Sequence, residues 1–275
     1  ISSLDEISHP IIRNCLLKRG IEEFLEITSI ADIPSNGSGL GSSSAFTVSL
    51  LRALDQFKNM SQSQMDTAFE ACEVEIEYCR QPIGKQDQFA AAHGGLNEFI
   101  FNQDGSVRVN KLFSNTLDED FFVQELNKRL SFYHLPFNRN TNKILGLQIT
   151  KLKHDSKYME LTSELVKLTS SSVESIKSFN FEKLGYEMTL GWKLKSSLNG
   201  DYKEQFYEDI MRIFKHPKIL GGKLLGAGAG GFLAVLSNPE DQSYINNLFR
   251  NYRRVNFKTS LSGPSVITLG NNEYH

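Results

Sequence analysis

The chain has little of what marks secreted, membrane or nucleic-acid-binding proteins. Its three cysteines, Cys15, Cys72 and Cys79, form no C-x-x-C pair, so we interpret them as reduced thiols of a cytoplasmic protein rather than as a disulfide framework. No hydrophobic run is long enough to span a membrane, and no secretory signal opens the sequence. The formal net charge is −2, and no Lys/Arg cluster is interleaved with aromatic residues, so nothing favours nucleic acid as a partner.

What is present is an ordinary globular composition, with 40% hydrophobic and 23% charged residues among 275. Helix and strand patterns in both halves predict a two-domain α+β architecture, with residues 1–128 and 129–275 as the domains. The patterns predict helices over 10–19, 43–58, 62–79, 86–92, 140–153, 155–178, 202–215 and 239–250. They predict strands over 23–30, 96–101, 107–112, 130–133, 232–236, 254–258 and 265–269.

The most informative stretch is a Gly/Ser-rich loop, Pro34-Ser-Asn-Gly-Ser-Gly-Leu-Gly-Ser-Ser-Ser-Ala45. After it, Val48, Leu51 and Leu54 recur at helical spacing, so the loop leads directly into an amphipathic helix. Glycines let the backbone approach an anion closely, and the first N–H groups of a helix then point at that anion. The loop therefore predicts a phosphate site, although neither a Walker A lysine nor a dinucleotide fingerprint fits it. A flexible turn with Ser43 as a helix cap is the alternative.

A second glycine-rich segment runs from Gly221 to Gly231 and contains six glycines in eleven residues. Each glycine costs backbone entropy inside a helix or strand, so we predict a tight loop packed against a ligand or against the first loop. A β-bulge or a close crossing of a helix and a strand is the alternative.

These two segments, in this order, resemble the second and third motifs of the GHMP kinases, through Pro34 with Gly39-Leu-Gly-Ser-Ser43 and through Lys223 to Gly231. The stretch Pro82 to Asn97, and the pattern Trp192-x-x-Lys-x-x-Leu198, are similar to the sugar-kinase branch and, within it, to the heptose 7-phosphate kinases. The resemblance implies a ribosomal-protein-S5-like N-terminal domain and a ferredoxin-like C-terminal domain. Because the chain opens on Ile1, we expect that a segment carrying the first motif is missing.

The resemblance also implies sites for ATP and Mg²⁺. Serine and glutamate oxygens are suitable ligands for a hard cation, and the family's metal ligands match Ser43 and Glu75. At 100° per residue Glu75 lies at the edge of the apolar stripe of 65–79, whereas Glu77 and Glu73 are expected on a solvated face. The expected nucleotide-binding residues are those of the first loop: Pro34, Gly39, Leu40, Gly41, Ser42, Ser43 and Ser44.

Asp87 matches the catalytic aspartate of the galactokinase-like members. The run Phe89-Ala-Ala-Ala92 beside it predicts a partly desolvated carboxylate, which suits a group that accepts a hydroxyl proton. A helix cap is the alternative for Asp87. Lys85 is expected either to pair with Asp87, to contact a sugar phosphate, or to be solvated.

The expected substrate-binding residues are Lys85, Arg139, Gly226 and Gly228. Arginine suits bidentate recognition of phosphate, although Leu-Pro-Phe-Asn precedes Arg139 where the heptose kinases have a Thr-Gly pattern. We expect an ATP-dependent kinase, monomeric or homodimeric, that phosphorylates the anomeric O1 of D-glycero-D-manno-heptose 7-phosphate for surface polysaccharide synthesis. The alternatives are a kinase for galactose or fucose, and a catalytically silent relative that binds nucleotide and sugar.

Overall fold

The computed structural model describes residues 3–22, 25–32, 39–135, 155–199, 204–226 and 231–268. Pro34, Arg139, Gly228 and the predicted helix 140–153 lie outside these residues. The chain divides into two compact units. We call Ile1–Ala31, Ser43–Gly95 and Ser260–His275 the helical unit, and Asp32–Ser42 with Leu96–Thr259 the sheet unit. The boundary placed between residues 128 and 129 from the sequence stays a prediction.

The helical unit contains most of the elements expected before residue 95. Its elements are a short 3₁₀ turn (Leu4–Glu6), α1 (Pro10–Arg19), α2 (Ser42–Phe57), α3 (Gln64–Cys72), a π-helix (Glu73–Tyr78) and α4 (Gln86–His93). Helix α1 has Pro10 in its first turn and ends at Gly20, whose φ of 58° suits a residue without Cβ. The strand predicted over 23–30 is wrong for residues 25–30, which form no strand and are mostly exposed.

A buried ion pair fixes the helices of this unit against one another. Arg19 on α1 donates from Nε to Asp55 Oδ1 on α2 at 2.7 Å, and from Nη2 to Glu70 Oε2 on α3 at 2.5 Å. Arg19 and Asp55 are both buried. Breaking such a pair leaves an uncompensated buried charge, so the contact ties α1 and α3 to the helix that begins at the Gly/Ser loop.

The sheet unit contains two antiparallel sheets. A hairpin joins β1 (Asn97–Phe101) to β2 (Val107–Lys111) through a turn in which Gly105 has a φ of 86°. A four-stranded sheet has the order β4 (Gly221–Leu224), β5 (Gly231–Leu236), β3 (Leu130–Leu135), β6 (Arg253–Val255). The helices of this unit are α5 (Thr116–Arg129), α6 (Ser156–Lys177), α7 (Phe181–Asn199), α8 (Glu204–Ile213) and α9 (Gln242–Leu248), with a 3₁₀ turn at Pro239–Asp241.

The core of the sheet unit forms where helices cover the four-stranded sheet. Every residue of β5 is buried, as its uninterrupted apolar sequence predicts for a central strand. Tyr133 of β3 stacks on Phe249 with ring centroids 4.5 Å apart, and Trp192 of α7 joins the same buried cluster. The mixture of helices and strands expected from the sequence is therefore confirmed as an α+β fold.

The sequence patterns miss two helices of this unit and wrongly predict one strand in the helical unit. Helices α5 and α7 are present although neither was predicted. In α7 the glycines Gly185 and Gly191 weaken the helical signal, but Gly185 lies where a Cβ would come within 2.5 Å of the Leu220 carbonyl oxygen. Residues 265–268 form no strand. The close approach of helix to strand thus explains a glycine that local propensity disfavours.

The cysteines are free thiols, as expected. Burial raises the pKa of Cys15 and of Cys72 to about 12, which disfavours their reactive thiolate forms at neutral pH. Among the described helices, none is both long and apolar enough to cross a membrane.

Candidate functional site

The two glycine-rich motifs contact each other within the sheet unit. Gly39 and Gly226 have φ values of 71° and 72°, in the region that favours glycine. A Cβ on Gly39 would lie 2.7 Å from the Leu225 carbonyl oxygen, and a Cβ on Gly226 would lie 2.4 Å from the Gly39 Cα. Gly41, with a φ of 69°, also adopts a backbone that other residues rarely take. The expectation that the second segment packs against the first loop is confirmed at Gly226.

The first part of the second segment is not a loop. Gly221 and Gly222 lie in β4, so the prediction of a loop over the whole segment is wrong there. A Cβ on Gly221 would lie 1.8 Å from the Gly185 carbonyl oxygen of α7, and one on Gly222 would lie 2.6 Å from the Ala234 carbonyl oxygen. The alternative of a close helix–strand crossing therefore holds for Gly221, whereas Gly222 lies close to the neighbouring strand β5.

A lysine that the sequence reasoning did not assign reaches this pair of loops. Lys195 of α7 donates from Nζ to the Gly226 carbonyl oxygen at 2.6 Å. It is the lysine of the Trp192-x-x-Lys-x-x-Leu198 pattern, so the pattern itself was the available signal. Its Nζ brings a positive charge to a loop pair whose first motif contains no lysine.

In the helical unit, Ser43 and Glu75 lie side by side. The Ser43 hydroxyl donates a short hydrogen bond to Glu75 Oε1, and the Gln88 amide donates from Nε2 to Glu75 Oε2 at 2.6 Å. The Glu75 and Gln88 residues are fully buried. The structure thus brings both predicted metal ligands together, and adds Gln88, which the sequence reasoning missed although it follows Asp87 directly.

Ser43 is not the cap of α2. The helix begins at Ser42, so Ser43 is already inside the first turn, and its hydroxyl serves Glu75 rather than a backbone N–H. Of the other predicted loop residues, Ser44 is buried, whereas Leu40, Gly41 and Ser42 are half-buried. The capping alternative for Ser43 is therefore wrong.

Glu75 belongs to the π-helix that continues α3, where the sequence predicted one uninterrupted helix over 62–79. Burial of Glu75 and exposure of Glu77 agree with the helical-wheel argument. Glu73 does not lie on a solvated face as expected, because it is half-buried. It accepts hydrogen bonds from Lys18 Nζ at 2.5 Å and from the Tyr78 hydroxyl at 2.7 Å. The Lys18 and Tyr78 hydrogen bonds hold the pKa of Glu73 below its usual value.

Asp87 lies in the first turn of α4 and is exposed, so the expected partial desolvation by the alanine run is wrong. The run turns inward mainly at Phe89 and Ala92, on the face of α4 that does not carry Asp87. Gln86 Nε2 approaches Asp87 Oδ1 at 3.3 Å. Lys85 forms no ion pair with Asp87; its Nζ lies 5.7 Å from the centroid of the Phe69 ring. Asp87 is therefore open to an incoming group.

The Ser43–Glu75 pair fits a magnesium ion. Within the described chain no lysine or arginine forms an ion pair with Glu75, so its buried carboxylate is held by neutral donors alone. A buried carboxylate is costly without a cation. Mg²⁺ commonly takes one or two protein oxygens, with water and phosphate completing its shell. No group of three His, Cys, Asp or Glu side chains suited to a metal occurs among the described residues, so a dedicated all-protein metal cage is not found there.

Comparison with known proteins gives the family context. Residues 10–95 match the model of the GHMP kinases N terminal domain. The chain is 29% identical over 209 residues to a D-glycero-alpha-D-manno-heptose 7-phosphate kinase of Campylobacter jejuni, covering 76% of this chain and 60% of that protein. It is 25% identical over 284 residues to a galactokinase of Clostridium perfringens, covering 91% of this chain and 72% of that protein. The chain thus spans less than two thirds of the length of the heptose kinase.

Solved structures share the fold. A D-glycero-D-manno-heptose 1-phosphate kinase of Bacteroides thetaiotaomicron superposes with a TM-score of 0.63 at 21% identity, over 96% of this chain and 76% of that one. A Lactococcus lactis galactokinase in complex with galactose gives a TM-score of 0.69 at 13% identity, over 96% and 78% of the two chains. The chain has the mixed helix-and-sheet fold of these GHMP kinase structures, and its residues 10–95 match the N-terminal domain of that family.

Proposed function

We propose that this protein is an ATP-dependent sugar phosphate kinase of the cytoplasm, acting on D-glycero-D-manno-heptose 7-phosphate at its anomeric O1. The observation that carries the proposal is the Ser43–Glu75 pair, an adjoining hydroxyl and buried carboxylate whose second oxygen is bonded by the residue that follows Asp87. The choice of sugar is supported by the sequence similarity to the Campylobacter jejuni heptose 7-phosphate kinase.

The proposed reaction is a phosphoryl transfer. The sugar O1 attacks the γ-phosphorus of ATP, the bond from that phosphorus to the β,γ-bridging oxygen breaks, and its electron pair leaves with ADP. The proton of the O1 hydroxyl passes to the carboxylate of Asp87. Because Asp87 is exposed at the start of α4, a sugar hydroxyl can reach it without any change in the packing of the helix. An anomeric hydroxyl is more acidic than an ordinary alcohol, so a carboxylate is an adequate acceptor.

The phosphates of ATP are assigned to the first loop. Glycines at 39 and 41 let the backbone approach an anion closely, and Pro34, Leu40, Ser42 and Ser44 complete the proposed nucleotide segment. Ser43 and Glu75 would hold Mg²⁺. The bound ion supplies positive charge that neutralises the phosphate oxygens.

The distal phosphate of the sugar needs a cationic or backbone site of its own. We assign it to Lys85 and Arg139, with Gly226 and Gly228 as backbone contacts to the sugar. The Lys85 side chain is half-buried against the Phe69 ring, an arrangement that keeps its ammonium group near the start of α4. Arginine in addition offers bidentate hydrogen bonds to phosphate.

A kinase for unphosphorylated galactose is the second candidate. It is supported by the similarity to the Clostridium perfringens galactokinase, which extends over 91% of this chain. The same Ser43, Glu75 and Asp87 would serve both reactions, so the two candidates differ only in the recognition of the distal end of the sugar.

A substrate screen tests the proposal. The full-length protein is incubated with ATP and Mg²⁺ and with heptose 7-phosphate, heptose, galactose or fucose, and ADP release is measured for each. We expect the largest kcat/KM for heptose 7-phosphate and an acid-labile product phosphorylated at O1, identified by phosphorus NMR. A larger kcat/KM for galactose or fucose would establish the second candidate, and nucleotide binding without turnover of any sugar would indicate a catalytically silent relative.

A further inference from the structure

Gln88 is buried beside the proposed metal-binding carboxylate of Glu75. It lies on α4 directly after Asp87, with no exposed side-chain area. Its Nε2 donates to Glu75 Oε2 at 2.6 Å, on the opposite oxygen from the one bonded by Ser43. The carboxylate of Glu75 is thus held at both oxygens, once from α2 and once from α4.

The orientation of the Gln88 amide is fixed by this bond. If the amide were turned over, its oxygen would face a carboxylate oxygen and the two acceptors would repel. The orientation that bonds Glu75 leaves Gln88 Oε1 buried, with no hydrogen-bond partner in the described part of the chain. A buried acceptor without a partner costs free energy that an apolar side chain of similar shape would avoid. Packing alone therefore favours methionine or leucine at this position.

We infer that Gln88 is a positioning residue, whose amide holds the Glu75 carboxylate in the orientation that Mg²⁺ requires next to the Ser43 hydroxyl. This inference rests on the metal site of the proposed function. It extends that site to a third residue and to the helix that carries Asp87, so that one helix both presents the proposed proton acceptor outward and orients a metal ligand inward.

Gln88 bonds Glu75 from the same helix that carries Asp87, the proposed proton acceptor. Gln88 and Asp87 are consecutive on α4, and one of them is buried while the other is exposed. A rotation of α4 that moved Asp87 would also pull the Gln88 amide away from Glu75. The hydrogen bond therefore couples the placement of the proton acceptor to the placement of the metal ligand.

The experiment measures metal binding rather than turnover. Isothermal titration calorimetry gives the Kd of ADP for the full-length protein with saturating Mg²⁺ and with EDTA. The Kd in EDTA divided by the Kd in Mg²⁺ reports how much the metal strengthens nucleotide binding. In Gln88→Met, which keeps the side-chain volume but cannot donate, we expect this ratio to fall by about 10-fold or more, as for other residues that orient metal ligands. The Kd in EDTA should not change, whereas the melting temperature should fall, because the buried Glu75 carboxylate loses a hydrogen-bond donor. Gln56→Met, at an exposed glutamine of α2, is the matched control and should leave the ratio unchanged.

A double-mutant cycle separates positioning from packing. Because Gln88 acts through Glu75, adding Gln88→Met to Glu75→Gln should lower the ratio no further than Glu75→Gln alone. Should Gln88→Met fail to fold, Gln88→Asn retains the amide on a shorter side chain that cannot reach Glu75, and the same fall is expected.

Three results would overturn the inference: an unchanged ratio in a folded Gln88 variant, a further fall in the double variant, or no metal dependence in the wild-type protein. Failure of the sugar screen is a separate matter. If no sugar is phosphorylated but the ratio responds as expected, the proposed reaction is wrong and the role of Gln88 stands.

Discussion

Gly39 and Gly226 meet backbone to backbone, and neither position has room for a Cβ atom. The contact joins two motifs that are far apart in the sequence, so the Gly/Ser loop and the second glycine segment are neighbours in space. Lys195 donates to the carbonyl oxygen of the same Gly226. The glycines are thus required by the packing of the loops on each other, whatever the loops bind.

Replacing Gly226 by alanine should destabilise the protein more than the same change at Gly105. Both glycines have positive φ values and so share the backbone strain, but a Cβ on Gly105 would meet nothing within 4 Å. We expect Gly226→Ala to lower the free energy of unfolding by about 1–3 kcal/mol beyond the effect of Gly105→Ala, the usual range for overpacking. Denaturant titration checks this, and equal losses in the two variants would contradict the loop contact.

Asp87→Asn should abolish most of the chemistry while preserving the fold. We expect kcat to fall by about 10²-fold or more, the lower range for loss of a group that accepts a proton, with the Kd of ATP nearly unchanged. Because Asp87 is exposed, the melting temperature should stay close to that of the wild-type protein. Turnover near the wild-type rate would remove Asp87 from the mechanism.

The metal assignment predicts different magnesium requirements for two neighbouring glutamates. Ser43→Ala and Glu75→Gln should each raise the Mg²⁺ concentration needed for half-maximal rate, because each removes a proposed oxygen ligand. Glu77→Gln is the control, since Glu77 lies on the same helix but is exposed. The assignment fails if all three variants titrate alike with Mg²⁺.

Lys195→Met should weaken the Gly226 loop. The variant loses a charge-assisted hydrogen bond at 2.6 Å, so we expect the free energy of unfolding to fall by about 1.5–3 kcal/mol and the KM for the sugar phosphate to rise. Lys193, an exposed lysine two residues earlier on α7, provides the control: Lys193→Met should change neither quantity. Identical behaviour of the two variants would show that the Lys195 contact has no energetic role.

The thiols provide a test based on their pKa values. Burial raises the pKa of Cys15 and of Cys72 to about 12, so at pH 8 almost none of either thiol is ionised in the folded protein. Iodoacetamide should therefore label neither residue until guanidinium unfolds the chain, as mass spectrometry of tryptic peptides would report. Cys79 is half-buried and should be labelled first. Rapid labelling of Cys15 or Cys72 in the native protein would contradict the packing of α1 against α3.

The sequence was sufficient for features that depend on local pattern. Helix α1 has the bounds that the sequence pattern predicts, 10–19, with a proline at its start and a glycine directly after its end. The helical wheel separated buried Glu75 from exposed Glu77, and the glycine pattern led to the contact between the two loops. Each of these depends on residues close together in the chain or on a strong compositional signal.

The features that the sequence did not predict depend on tertiary contacts, which a single sequence does not show. Alanine neighbours suggested a desolvated Asp87, yet which face of α4 is buried is decided by the helices packed against it. The hydrogen bond from Gln88 to Glu75 joins two residues on different helices, and no sequence pattern links them. Helix α7 was missed because Gly185 reads as a weak helix former until its contact with Leu220 is known.

The π-helix at Glu73–Tyr78 bears on how this site can be found in other chains. A π turn accommodates one residue more than an α turn, through hydrogen bonds from residue i to i+5. In a chain whose corresponding helix is α-helical throughout, a carboxylate could occupy the same position along the helix axis with about one residue fewer in the helix. The number of residues between Glu75 and Asp87 is therefore not a fixed signature of the geometry, and a search that allows an insertion or deletion in this helix would recover sites that a rigid motif overlooks.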